Sequence, residues 1–137
     1  MRLTVIALIA TMLAWPPISA NAQEQNPDIT AVIEQQIQAF QDNDLNEAFS
    51  YASPMIQRKF GSAAIFGQMV ESGYPMVWRP SSYRMDRLIE TDAGLVQIVM
   101  FEDATGRLHE AGYLMKMIDG KWRINGVHVR PQPGVGT

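Results

Sequence analysis

The order of patterns along the chain predicts an α+β domain, with N-terminal helices packed on one face of a curved antiparallel sheet of about four to five strands. Three observations carry this. Apolar residues recur at three-and-four spacing as far as Gly73, then follow strand-like patterns from Met76 onward. Between two of those later stretches stands Asp119-Gly120, the pair that favours a two-residue hairpin.

The leading helix places Ile29, Val32, Ile33, Ile37 and Phe40 on one face. Asp28, after Pro27, is its expected N-cap, because a carboxylate there accepts from the free amides of the first turn. The chain turns at Asp42-Asn43-Asp44. Asp44 with Glu47 three residues on reads as a capping box that opens a second helix through Ala48, Phe49 and Ala52. The run Asp42, Asn43, Asp44, Leu45, Asn46 also begins like a calcium loop, but such a loop needs glycine at its sixth place and a bidentate glutamate at its twelfth. Glu47 and Ser53 stand there, so the cap is the better account. At Ser53-Pro54 serine caps another helical turn, and proline takes a first position where its missing N–H costs nothing. Gly61 ends that turn. Ser62 caps a helix whose Ile65, Phe66, Met69 and Val70 form one stripe, closed by Gly73. Tyr74-Pro75 is expected to end the helical part, with Val77 and Trp78 forming a short strand stopped by Pro80.

Strands are expected over residues 82–90, 95–101, 108–118 and 121–129. Apart from Gln97, residues 95–101 are apolar, as suits a strand covered on both faces. Thr91-Asp92-Ala93-Gly94 and Asp103-Ala104-Thr105-Gly106 supply the connecting turns.

Arg2 is the only charge before Glu24, residues 3–15 are largely apolar, and Pro16-Pro17 breaks any helix. Ala20-Asn21-Ala22 has the small-x-small form of a signal peptidase site. An uncleaved anchor is the alternative, but the apolar run falls short of the about 20 residues that span a bilayer. The expected organisation is a cleaved signal peptide over 1–22, a polar tether over 23–27, a single domain over 28–130 and a flexible tail over 131–137. The protein is thus expected in the periplasm or secreted, with no membrane attachment after cleavage near Ala22.

A domain of this length buries roughly 65% of its unfolded surface. Fourteen acidic residues against eleven basic ones, with no basic cluster, argue against a nucleic-acid partner. The absence of cysteine excludes disulfides, thiol nucleophiles, thiolate metal sites and a lipidated cysteine. No cofactor motif is present: Gly134-Val135-Gly136 is a tail, not a phosphate loop, and Ser53 and Ser62 lack a nucleophile elbow.

With the turn at Asp119-Gly120, the expected register sets Met117 against Trp122, Met115 against Ile124, Tyr113 against Gly126, Ala111 against His128 and His109 against Arg130. All lie on one side of the sheet. The other side carries Leu108, Glu110, Leu114, Lys116, Arg123 and Asn125 and is the more polar, so the first is expected to face the helices. The functional reading is a pocket: a dry floor of Tyr113, Met115, Met117 and Trp122, with His109, His128 and Arg130 at its wider end and Trp78 as a lip. Such a site would bind a small acid or transfer protons. The plainer reading is ordinary core, each histidine hydrogen-bonded at the sheet margin. A metal at the two histidines would need a third ligand such as Glu102 or Glu110, and no ligand-spaced motif supports one. Methionines 55, 69, 76, 85, 100, 115 and 117 would either line an adaptable cavity or fill irregular core.

Several local words go further: Ala39-Phe40, Asp44, Ala48-Phe49, Ala52-Ser53-Pro54, Phe60-Gly61-Ser62, Met69-Val70, Tyr74-Pro75, Arg79-Pro80, and the run from Gly120-Lys121-Trp122 to Gly126-Val127. Together they resemble a bacterial family of exported proteins, domain of unknown function 4864, over almost the whole chain after the signal peptide. The order of elements resembles the wider cone-shaped superfamily of nuclear transport factor two. The resemblance implies the fold and no established activity. Enzymes of that superfamily, such as ketosteroid isomerase and polyketide cyclases, use a pocket carboxylate with tyrosine or histidine partners; that carboxylate is not carried over to any Asp or Glu here.

Three functions follow as expectations. The first is a non-catalytic periplasmic module that binds a small molecule or a protein. The second is a small isomerase, dehydratase or cyclase with His109 or His128 as general base and Tyr113 or Arg130 holding the developing anion. The third is a structural subunit that forms a homodimer through its outer sheet face.

Overall fold

The computed structural model describes residues 24–131. The expected signal peptide over 1–22 and the tail beyond Pro131 lie outside the described residues. Five helices precede four strands: α1 Pro27–Gln41, α2 Leu45–Ser50, α3 Pro54–Phe60, α4 Ala63–Gly73, α5 Pro75–Trp78, β1 Ser82–Thr91, β2 Gly94–Glu102, β3 Leu108–Ile118 and β4 Lys121–Pro131. The strands form one antiparallel meander in the order β1-β2-β3-β4. The fold is α+β, helices on one face of an open sheet.

The helix starts show how local chemistry sets boundaries. Asn26, not Asp28, caps α1, its side chain accepting from the amides of Asp28 and Ile29. Pro27 takes the first helical position, so the cap falls one residue before it and Asp28 sits in the first turn near the positive end of the helix dipole. Asp44 caps α2 by accepting from Glu47 N at 3.1 Å. Glu47 does not complete the box; it accepts from the Tyr51 hydroxyl at 2.9 Å. Ser53 and Ser62 cap α3 and α4.

The short strand expected at Val77-Trp78 is instead α5. Pro75 supplies a first-turn φ, and the tight packing of Val77 in the core holds the turn helical. Four residues between Pro75 and Pro80 offer little backbone to pair with a neighbouring strand.

Two bulges curl the sheet. In β1 the register shifts between Met85 and Leu88, and the buried Gln97 amide donates to the carbonyls of Asp86 at 3.1 Å and Arg87 at 3.4 Å. The one polar side chain in the interior of β2 thus serves carbonyls at the bulge. In β3–β4, Asp119 (φ 50°) and Gly120 (φ 77°) make the tight turn, where both positions need positive φ. The expected register holds from Ile118↔Lys121 to Met115↔Ile124, then slips by one at Asn125, giving Leu114↔Gly126, Tyr113↔Val127 and Gly112↔His128.

The cause of the slip lies on the free edge of β4. Ile124 N donates to Tyr51 O at 2.9 Å and Ser53 N donates to Ile124 O at 2.8 Å, so the α2–α3 corner pairs with β4 there. Ser53 Oγ then donates to Asn125 Oδ1 at 2.7 Å. With period-two alternation, a one-residue slip exchanges the faces of everything beyond it. Val127 and Val129 join the helix side, and His128 and Arg130 go to the outer side.

The core lies between the helices and the inner face of the sheet. Ile29, Ile33, Ile37 and Phe40 of α1 meet Val99, Phe101, Ala111, Tyr113 and Ile124. Phe66 of α4 anchors an aromatic cluster, its ring centroid 5.9 Å from Phe40, 5.3 Å from Phe49 and 5.7 Å from Phe60.

Candidate functional site

Where α3 and α4 splay over β3 and β4, a largely apolar cavity of about 550 Å³ remains, within the usual range for small-molecule sites. Its deep wall consists of buried Gln36, Phe40, Phe66, Val70, Tyr113 and Ile124; exposed Met55, Lys59 and Gly73 form its rim. Gln36 and Phe40 stand one turn apart on α1, so they reach the same wall. Gln36 Nε2 donates to Ala48 O at 3.0 Å and ties α1 to α2. Asn125 reaches the cavity through the β4 bulge that Ser53 stabilises.

Tyr113 is the group of greatest chemical interest in that wall. Its side chain is fully buried, and its hydroxyl has no hydrogen-bond partner among the described residues. Burial pushes the phenol well above its usual value, with a smaller contribution from Tyr83. It is therefore a neutral hydroxyl at physiological pH and lacks an acceptor. Lys59 contributes a charged group at the rim, its Nζ 5.6 Å from the Phe60 ring centroid.

Several polar groups elsewhere are paired, although the buried Gln97 Oε1 has no partner among the described residues. In the β2–β3 loop, Asp103 Oδ2 lies 2.7 Å from His109 Nε2, and Oδ1 accepts from Thr105 N, Thr105 Oγ1 and Arg107 N. These contacts, that of His109 foremost, hold the Asp103 carboxyl well below the usual carboxylate range. On the outer face, the nearly buried Glu110 accepts from Arg87 Nη2 at 2.9 Å and from Arg130 Nε at 2.5 Å. Burial opposes its charge, but the two guanidinium groups outweigh it and lower the carboxyl's pKa. Arg79 clamps the end of α1, donating to Phe40 O at 2.6 Å and to Asn43 Oδ1 at 2.8 Å, with its guanidinium 4.7 Å over Trp78. Among the described residues no three His, Cys, Asp or Glu side chains cluster as a metal site would require.

Residues 22–137 match the family model of DUF4864, a domain of unknown function. The chain belongs to this family. No curated protein and no solved structure matches the DUF4864 chain.

Of the eight pocket candidates read from the sequence, the DUF4864 structure brings Tyr113 alone to the interior cavity. Met115 is buried in the core, and Trp122 and Trp78 are half-buried against it, Trp78 with its ring 5.4 Å from Phe40. Met117, near the hairpin tip, is 48% exposed. His109 lies on the helix side, held by Asp103 at the margin of the sheet. His128 is exposed and, with Arg130, belongs to the outer face, because the Asn125 bulge reverses their direction. The two histidines therefore do not share a side as expected. Sequence reasoning missed Gln36, Phe40, Phe66 and Val70 as wall residues. One signal for them was available: Gln36 interrupts an otherwise apolar helical stripe, and a buried amide there needs a partner.

Proposed function

We propose that the protein is an exported, non-catalytic binding module whose interior cavity takes a small, mostly apolar molecule. The export half rests on the charge, apolar run and cleavage pattern of residues 1–22. The binding half rests on one observation: a largely apolar cavity of about 550 Å³ bordered by Phe40, Phe66, Val70 and Ile124. An empty apolar wall forfeits dispersion contacts. A guest with an apolar body would restore those contacts. Catalysis by His109 or His128 draws no support from this arrangement, since neither lines the cavity and Asp103 already engages His109.

The test is native mass spectrometry of the protein from its own periplasm, together with titration of a neutral apolar fluorophore such as 1-aminoanthracene. A retained small molecule, or saturable one-site dye binding that is lost in Val70→Trp and Val127→Phe, is the expected result. Absence of a retained ligand, with dye binding unaltered by either cavity-filling change, would overturn the reading.

A further inference from the structure

The charges around the cavity narrow the guest. The chain is acidic overall, with 14 Asp and Glu residues, yet none of them contributes to this wall. The polar wall residues Gln36, Tyr74, Tyr113 and Asn125 carry no charge at neutral pH, and among the described residues Lys59 brings the wall's one formal charge. Depth sorts them as well. The neutral groups Gln36 and Tyr113 are buried, whereas Lys59 stands exposed at the rim on the last turn of α3.

Resting on the cavity reading above, we propose that the guest is an apolar carboxylate, its body against Phe40, Phe66 and Tyr113 and its acid group at the rim beside Lys59. An ammonium on a flexible stem suits a carboxylate that remains partly in water, because neither charge has to be stripped of solvent. The acid group therefore sits on the α3 side. The deep wall, free of carboxylates and ammonium groups, accepts the hydrocarbon.

The experiment is displacement of 1-aminoanthracene by dodecanoate, dodecan-1-ol and methyl dodecanoate, using wild type, Lys59→Gln, Lys59→Arg and Val127→Phe. Wild type should prefer the acid to its neutral analogues. Lys59→Gln should weaken dodecanoate by about fivefold, the upper end of what an exposed ion pair supplies, while leaving the alcohol unchanged. Lys59→Arg should retain the preference, and raising the salt should erode it. If acid and alcohol bind equally and Lys59→Gln alters neither, the head-group assignment is overturned while the cavity reading stands, provided Val127→Phe blocks both ligands. Failure of all three ligands and the dye to bind overturns both.

Discussion

Replacing Tyr113 with phenylalanine deletes one buried oxygen and leaves the ring that packs 6.4 Å from Phe101. A tyrosine hydroxyl with a good partner contributes about 1 kcal/mol, so its removal ordinarily destabilises. Here the sign should reverse. The hydroxyl is buried without a partner among the described residues, so its folded state carries an uncompensated desolvation cost of about 1–3 kcal/mol. Part of that gain is offset by the small void left behind. The empty protein should thus gain about 1 kcal/mol, a rise in Tm of about 4 °C for a domain of this size. Urea unfolding, with m unchanged, is the direct assay. A second readout comes from alkaline pH. Folding holds the Tyr113 phenol above its unfolded value near 10, so it contributes stability that is full below that pH and is lost as pH rises above it. Tyr113→Phe should flatten that part of the alkaline limb. A loss of 1 kcal/mol or more in the variant would show that the hydroxyl is paired, for instance to a trapped water.

Asp44→Ala should cost about 1 kcal/mol by freeing the Glu47 amide that Asp44 caps; unchanged urea stability would contradict the placement of the α1–α2 corner. Glu110 titrates below its usual value of 4.5 because Arg130 and Arg87 outweigh its burial. Its stabilising contribution is therefore present at neutral pH and is lost as pH falls below about 4.5. Acid unfolding of Glu110→Gln should show a shallower limb there than wild type, and superimposable limbs would refute the ion-pair account. Met117→Lys should change stability by less than about 0.5 kcal/mol, whereas Met115→Lys should cost more than about 3 kcal/mol, because one side chain is half-exposed and the other buried. Similar effects from the two would mean that the end of the core along β3 is misplaced.

The parts of the fold that could be read from the chain depend on groups a few residues apart. Asp44, Ser53 and Ser62 each accept from an amide three positions on, and Asp119-Gly120 closes its own turn. Such contacts need nothing from the rest of the molecule. The cap of α1 misled because Pro27 moves the helix start by one position. Val77 and Trp78 misled because so short a segment takes its conformation from what it packs against. In the site, Tyr113 was legible because the disturbance of the register, an extra residue in β4, leaves the alternation of β3 intact. His128 and Arg130 were not, because they follow it.

From the amino-acid order alone come the α+β class, the first four helices with the caps of three of them, the hairpin turn and the membership of Tyr113 in an inward-facing strand row. Tertiary structure decided which residues surround the cavity and on which side each histidine stands. Asn125 receives its hydrogen bond from Ser53, 72 positions earlier, and that single long-range pairing shifts β4 by one residue. A period of two turns such a shift into a change of face, so one edge contact redistributes every side chain beyond it between solvent and interior.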